Sequence, residues 1–151
     1  MTGATAIERA SELSACAHAG QVDKAGRSYI EHPTRVAATV AALHGAEHPA
    51  VIVAWLHDVV EDTSCTLEQV EEQFGSAVAA AVDAITRRVG ELPEQYYQRV
   101  AADELARITK LADIADNADP ARLAQLPAET AERLRRKYVH AKEQLGVQSQ
   151  H

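Results

Sequence analysis

The segment His57-Asp58-Val59-Val60-Glu61-Asp62 places an imidazole beside a carboxylate and follows them with two more carboxylates, three and four residues after Asp58. On a helix those offsets share a face. Such side chains at the end of an otherwise apolar stretch are costly to bury unpartnered, so they must meet solvent, a partner or a cation. The chemistry open to this set is coordination of a divalent ion.

Two adjacent ligands do not complete a coordination shell, and a hard or borderline divalent ion needs further imidazole or carboxylate groups from other elements. His32, followed by Pro33, and Asp113, within Lys110-Leu111-Ala112-Asp113, are the best placed by context. Plainer readings compete: a loop histidine that caps the next helix for His32, a polar helix end for His57-Asp58, and a surface carboxylate paired with Lys110 for Asp113. The Tyr29-Ile30-Glu31-His32-Pro33 context and the company of Glu61 and Asp62 favour ligation for the first two. Asn117 reads equally as a C-cap before Pro120 and as a substrate contact. His18, His44, His48, His140 and His151 lack acidic neighbours in a suitable pattern and read as solvated or helix-end histidines. Trp55 reads as core packing, and the run Arg133-Leu134-Arg135-Arg136-Lys137 as a solvated helix face.

Helices must carry these residues. Ile7, Ala10, Leu13 and Ala17 repeat at helical spacing from Thr5 to His18, and Gly20 offers a stop. Gln21 to Pro33 has no sustained period, so His32 is expected in or beside a loop leading into a helix that runs to about His44. Pro49 opens a third helix through Val59, apolar nearly all round and therefore central. Thr66 and Gln69 form a capping box for a short helix that Gly75 ends or bends, with continuation to about Thr86. Gly90-Glu91-Leu92-Pro93 is the clearest break. One or two helices then reach Asn117, Asp119-Pro120 starts a short turn, and Ala128 to Leu145 closes the chain. No strand pattern competes. The expectation is an all-α, compact single domain over residues 1–151, with its core at about 5–145 and a frayed C-terminal tail Gln148-Ser149-Gln150-His151.

His32-Pro33, His57-Asp58 and Asp113 together resemble, in order and spacing, the HD phosphohydrolase superfamily. Gly20-Gln21, Gly26, Tyr29 to Pro33, His57 to Thr63, Phe74-Gly75 and Lys110 to Asp113 with Asn117 are similar to the hydrolase domain of RelA/SpoT-type alarmone enzymes and their small stand-alone relatives. The resemblance implies an all-helical fold and one Mn2+ held by His32, His57, Asp58 and Asp113, with Glu61 and Asp62 at the catalytic step. It further implies hydrolysis of the bond holding the 3′-pyrophosphate of guanosine tetra- or pentaphosphate. A bound cation supplies water of lowered pKa, and either carboxylate can position that water, accept its proton or protonate the leaving oxygen. The chain departs from the longer enzymes with Asp23-Lys24 in place of a basic pair, and with Ile114 and Asp116 in place of Arg and His. Lys24, Arg27, Lys110 and Arg87 or Arg88 are the candidate phosphate contacts, and Tyr29 or Tyr97 a candidate pocket wall. The alternatives are an HD phosphohydrolase of another nucleotide and a non-catalytic nucleotide-binding regulatory protein.

The bulk numbers bound these readings. A formal charge of −7 argues against a nucleic-acid polymer as partner, and an anionic small nucleotide would need a local positive patch or a bound cation. Two cysteines without CxxC spacing indicate neither a disulfide framework nor a thiolate zinc site. The longest strictly apolar run, Ala50 to Leu56, is far short of a membrane span. The cytoplasm is the expected setting, and nothing in the sequence bears on oligomeric state.

Overall fold

A computed structural model describes residues 5–23 and 26–146. Lys24, a candidate phosphate contact, and the tail from Gln148 to His151 lie outside the described residues.

The chain folds as helices α1 (Ala6–Ala17), α2 (Glu31–His44), α3 (Pro49–Leu56), α4 (Val59–Asp62), α5 (Leu67–Phe74), α6 (Ser76–Ile85), α7 (Pro93–Ala101), α8 (Glu104–Asn117), α9 (Pro120–Leu123) and α10 (Ala128–Gln144). Among the described residues the one β feature is an isolated antiparallel bridge between Val22 and Ser28. The all-α expectation holds.

The ends carry the expected chemistry. Thr5 Oγ1 accepts from the Glu8 amide, Thr66 and Gln69 exchange the two bonds of a capping box, and Asp103 accepts from the Ala106 amide at the head of α8. That last cap divides the stretch after Pro93 into two helices. Gly75, with φ at +94°, separates α5 from α6 in a conformation few other residues adopt.

The apolar helix α3 is the hub, packed against α1, α2, α6 and α8. Val53, Ala54 and Leu56 are fully buried. One apolar cluster joins α3 to α1, α5, α6, α7, α8 and α10; a second joins α3 to α2 and α8, and Trp55 packs on both, as core. The third helix stops earlier than its pattern predicts, at Leu56 instead of Val59. His57 Nδ1 donates to the Ala54 carbonyl at 2.7 Å, the acceptor that a continued helix would reserve for the Asp58 amide. The helix resumes as α4, with the Asp62 amide on the Asp58 carbonyl at 2.9 Å.

Candidate metal centre

Three stretches converge at one end of α3. His32 lies within the first turn of α2, beside the loop that leads into it, as the sequence suggests. The approach is fixed by the Val22–Ser28 bridge and by the Tyr29 amide on the Gln21 carbonyl at 2.8 Å. His57 and Asp58 occupy the break between α3 and α4, and Asp113 projects from α8.

Ligand atoms of His32, His57 and Asp113 all lie within 4.8 Å of one another, and each residue is buried. Asp113 Oδ1 sits 2.8 Å from His32 Nε2 and 3.4 Å from His57 Nε2. Asp58 Oδ2 is 3.1 Å from His57 Nε2. The remaining oxygen of Asp113 takes the Lys110 ammonium at 2.9 Å, while Asn117 Nδ2 donates to Oδ1 at 3.2 Å. The Lys110–Asp113 pair of the plainer reading therefore exists, but inside the cluster.

The donor set suits a divalent cation. His57 gives its Nδ1 proton to a backbone carbonyl and His32 turns Nδ1 to Asp116 Oδ2 at 2.7 Å, so both rings present Nε2 to the centre. Neutral rings with Nδ1 protonated would set two nitrogen lone pairs against carboxylate oxygens, a repulsive arrangement unless a proton or a cation sits among them. His57 Nε2, fully shielded from solvent, makes no hydrogen bond of acceptable geometry. A divalent cation among His32, His57 and Asp113, with Asp58 beside it, would satisfy these atoms.

The electrostatics agree. Burial opposes a charge on His32, but its hydrogen bonds to Asp113 and Asp116 outweigh it and raise the pKa. At His57 burial is likewise overcome, by the charge of Asp58 and by the close approach of the Asp113 and Asp58 carboxylates to Nε2, and the imidazole is raised well above its usual value. Burial would push Asp58 up, yet His57 and the Tyr29 hydroxyl hold it down at about 2. Asp113 is held well below the carboxylate range despite its burial, chiefly by Lys110.

The surroundings contain residues whose roles the sequence does not disclose. Tyr29, a candidate pocket wall, turns its hydroxyl onto Asp58 Oδ2 and donates to it. His18 is 2% exposed, not solvated: it ends α1 with Nδ1 at 2.9 Å from Gln21 Oε1 and its ring 4.8 Å from that of Tyr29. Gln21 in turn donates to the Asp62 carbonyl at 3.0 Å. Asp116, legible in the sequence only as a departure from a family pattern, is the Nδ1 partner of His32.

Carboxylate oxygens of Asp58, Glu61 and Asp62 also lie within 4.8 Å of one another, so the offsets read on a helix do share a face. Glu61 Oε1 accepts from the Arg87 amide at 3.0 Å. Burial, then the charges of Asp58 and Glu61, raise the carboxyl of Asp62. These groups line a cavity of about 760 Å³ together with Tyr29, as the sequence suggests, and with His32 and Asp113; Arg27, Asn117, Arg122, Lys137 and Tyr138 are also on its wall. Its size suits a small-molecule ligand.

Other candidates fall elsewhere. Lys110 is committed to Asp113 and lies over the Tyr96 ring, outside the cavity lining. Tyr97 is buried against Tyr96 in the core. Arg87 stacks on Tyr96 and Arg88 pairs with Asp83. Conversely, Lys137, read as part of a solvated face, reaches the cavity, as do Arg122 and Tyr138. The helical period of α10 puts Leu134, Lys137 and Tyr138 on one face, a signal present in the sequence but masked by the surrounding charge.

Comparisons with known proteins follow the same lines. A sequence profile described as HD domain matches residues 10–137. The chain is 49% identical over 71 residues to a guanosine-3′,5′-bis(diphosphate) 3′-pyrophosphohydrolase of Haemophilus influenzae, covering 47% of this chain and 10% of that protein. It is 43% identical over 81 residues to a protein of the same name from Aquifex aeolicus, covering 54% of this chain and 12% of that protein. The matched segment is thus about a tenth of each of these relatives. A solved structure, described as a metazoan ortholog of SpoT that hydrolyzes ppGpp, superposes with a TM-score of 0.77 at 23% identity, over 96% of this chain and 88% of the other.

Proposed function

The chain belongs to the HD domain family, and on that premise we propose that it is a metal-dependent phosphohydrolase of a small nucleotide, acting as a guanosine 3′,5′-bis(diphosphate) 3′-pyrophosphohydrolase. The observation that carries this reading is the convergence of His32 Nε2, His57 Nε2 and Asp113 Oδ1 beside three further carboxylates on the wall of one cavity. Residues 1–151 form one such domain in the cytoplasm, a setting that free Cys16 and Cys65 suit.

His32, His57, Asp58 and Asp113 hold the cation, which is Mn2+ in this reading. When bound, it supplies water of lowered pKa and offsets phosphoryl charge. Glu61, anchored through Oε1 by the Arg87 amide, orients the attacking water and accepts the proton it loses. Asp62, whose carboxyl is raised by burial and by the charges of Asp58 and Glu61, passes a proton to the leaving 3′ oxygen. Water adds to the phosphorus next to the ribose, the bond from that phosphorus to the 3′ oxygen breaks, and guanosine diphosphate and pyrophosphate result.

Arg27, Arg122 and Lys137 on the cavity wall counter a net charge that would otherwise repel such a ligand. Asn117 meets the sugar from beside Asp113. Tyr29 lines the pocket for base or sugar while its hydroxyl holds Asp58, and Lys110 serves the substrate through Asp113. Lys24 remains a candidate phosphate contact.

Product analysis tests the reading. Chromatography and phosphorus NMR of the tetraphosphate treated with Mn2+-loaded protein should show equal amounts of guanosine diphosphate and pyrophosphate. Release of inorganic phosphate, or attack at the 5′ end, would reject it.

A further inference from the structure

His32 does not stand alone on α2. Arg35 follows it by three residues on the same helical face, and α8 opposes that face with Asp113, Asp116 and Asn117 at the same kind of spacing. The side chains interleave across the helix pair. Arg35 Nε and Nη2 fork onto the two oxygens of Asp116 at 2.7 and 3.2 Å. Asp116 Oδ2 also receives His32 Nδ1 at 2.7 Å, and His32 Nε2 faces Asp113 Oδ1.

We infer that Asp116, clamped by Arg35, is a positioning residue that holds His32 with its Nδ1 proton on the outside and its Nε2 aimed into the metal centre. This deepens the metal-dependent reading above and rests on it. A carboxylate held at both oxygens by a planar guanidinium cannot rotate, so it fixes both the tautomer and the ring angle of the imidazole it binds. His57 achieves the same end with the Ala54 carbonyl, an acceptor built into its own helix. His32, in the first turn of α2, takes its acceptor from another helix. Asp116 is also well shielded, its side chain 7% exposed, so water does not readily replace it. An acceptor of this kind commonly tunes metal affinity by about 10–100-fold.

The test uses the full chain and Mn2+ as probe, with Asp116→Ala, Asp116→Asn and Arg35→Met. Titration calorimetry should find Mn2+ binding weakened by about 10–100-fold in Asp116→Ala and by about tenfold in Arg35→Met. Asp116→Asn keeps an acceptor oxygen and should recover most of the loss. Proton and nitrogen NMR of the metal-free proteins should show a slowly exchanging His32 Nδ1 proton in the wild type and Asp116→Asn, and its loss in Asp116→Ala.

Wild-type Mn2+ affinity and an unchanged His32 proton in Asp116→Ala, with only the melting temperature lowered, would overturn the inference and leave a structural clasp between helices. If Asp116→Ala does not fold, Arg35→Met and Asp116→Asn decide it by the same measurements. A wild type that binds no Mn2+ would instead count against the metal-dependent reading. The His32 proton alone would then decide whether Asp116 fixes the ring.

Discussion

His32 Nε2 and Asp113 Oδ1 lie 2.8 Å apart, although 81 residues separate them in the chain and they sit on different helices. Packing of α2 and α8 against each other and against α3 brings them together. His57 and Asp58 reach the same point from the break after α3. Removing either imidazole should therefore cost metal binding more than it costs the fold. His57→Ala and His32→Ala should each weaken Mn2+ by at least about 100-fold, above the effect of an outer partner, in equilibrium dialysis on folded protein. Metal content equal to wild type would remove the residue from the ligand set.

The same residues predict a pH dependence whose sign differs with and without metal. In the metal-free protein, His32 and His57 titrate above their ordinary value of 6.5, so the stability from their charged forms is complete below that value and lost as pH rises through the raised ones. Asp58 and Asp116, held at about 2, contribute stability above their ordinary value of 3.8 and lose it as pH falls toward 2. Metal, by contrast, requires neutral imidazoles, so its affinity rises with pH as proton competition fades. Thermal melts from about pH 5.5 to 8.5 should show a Mn2+-induced rise in Tm that grows with pH. A constant or shrinking rise would contradict the His32 and His57 assignment.

Glu61→Gln and Asp62→Asn change none of the proposed ligands His32, His57, Asp58 and Asp113. Each should lower turnover by about 10²–10⁴-fold while Mn2+ stays bound with little change. Loss of metal together with turnover in either variant would make that carboxylate a ligand.

Much of this arrangement is legible in the amino-acid sequence. The order of the helices follows from apolar spacing, from the Thr66-Gln69 cap and from the breaks at Gly75 and Pro93. His57, Asp58, Glu61 and Asp62 announce themselves by crowding charge at the end of an apolar helix. What escapes is whatever depends on a partner distant in sequence. His18 reads as a helix-end histidine, which it is, but its burial is made by Tyr29 and Gln21, and the role of Asp116 stays hidden because His32 and Arg35 arrive from α2. Tyr97 fails in the opposite sense, since an aromatic at helical spacing fits a core and a pocket equally well.

Tyr29→Phe separates two roles that the sequence does not. The hydroxyl donates to Asp58, so its removal should weaken Mn2+ by about 10-fold or more and act on substrate only through the metal. At saturating Mn2+ most of the activity should return without a change in KM. A raised KM at full metal occupancy would instead mean that the hydroxyl itself contacts the substrate in the cavity that Tyr29 lines.

Leu56→Ala tests whether the hub helix sets the stability of the site. Leu56 is fully buried at the end of α3, immediately before His57, and its truncation should cost about 2–5 kcal/mol. Mn2+ should recover part of the lost Tm by mass action. A loss below about 1 kcal/mol in chemical denaturation would mean that the site rests on other packing.

The most direct measurement of the central claim is pyrophosphate release from guanosine tetraphosphate by the Mn2+-loaded protein, beside a panel of other nucleotides and an Asp58→Ala control. The account predicts turnover that needs metal, exceeds the panel and vanishes in Asp58→Ala. Turnover of the tetraphosphate that persists in Asp58→Ala or without metal, or none at all in fully loaded wild type, would contradict it.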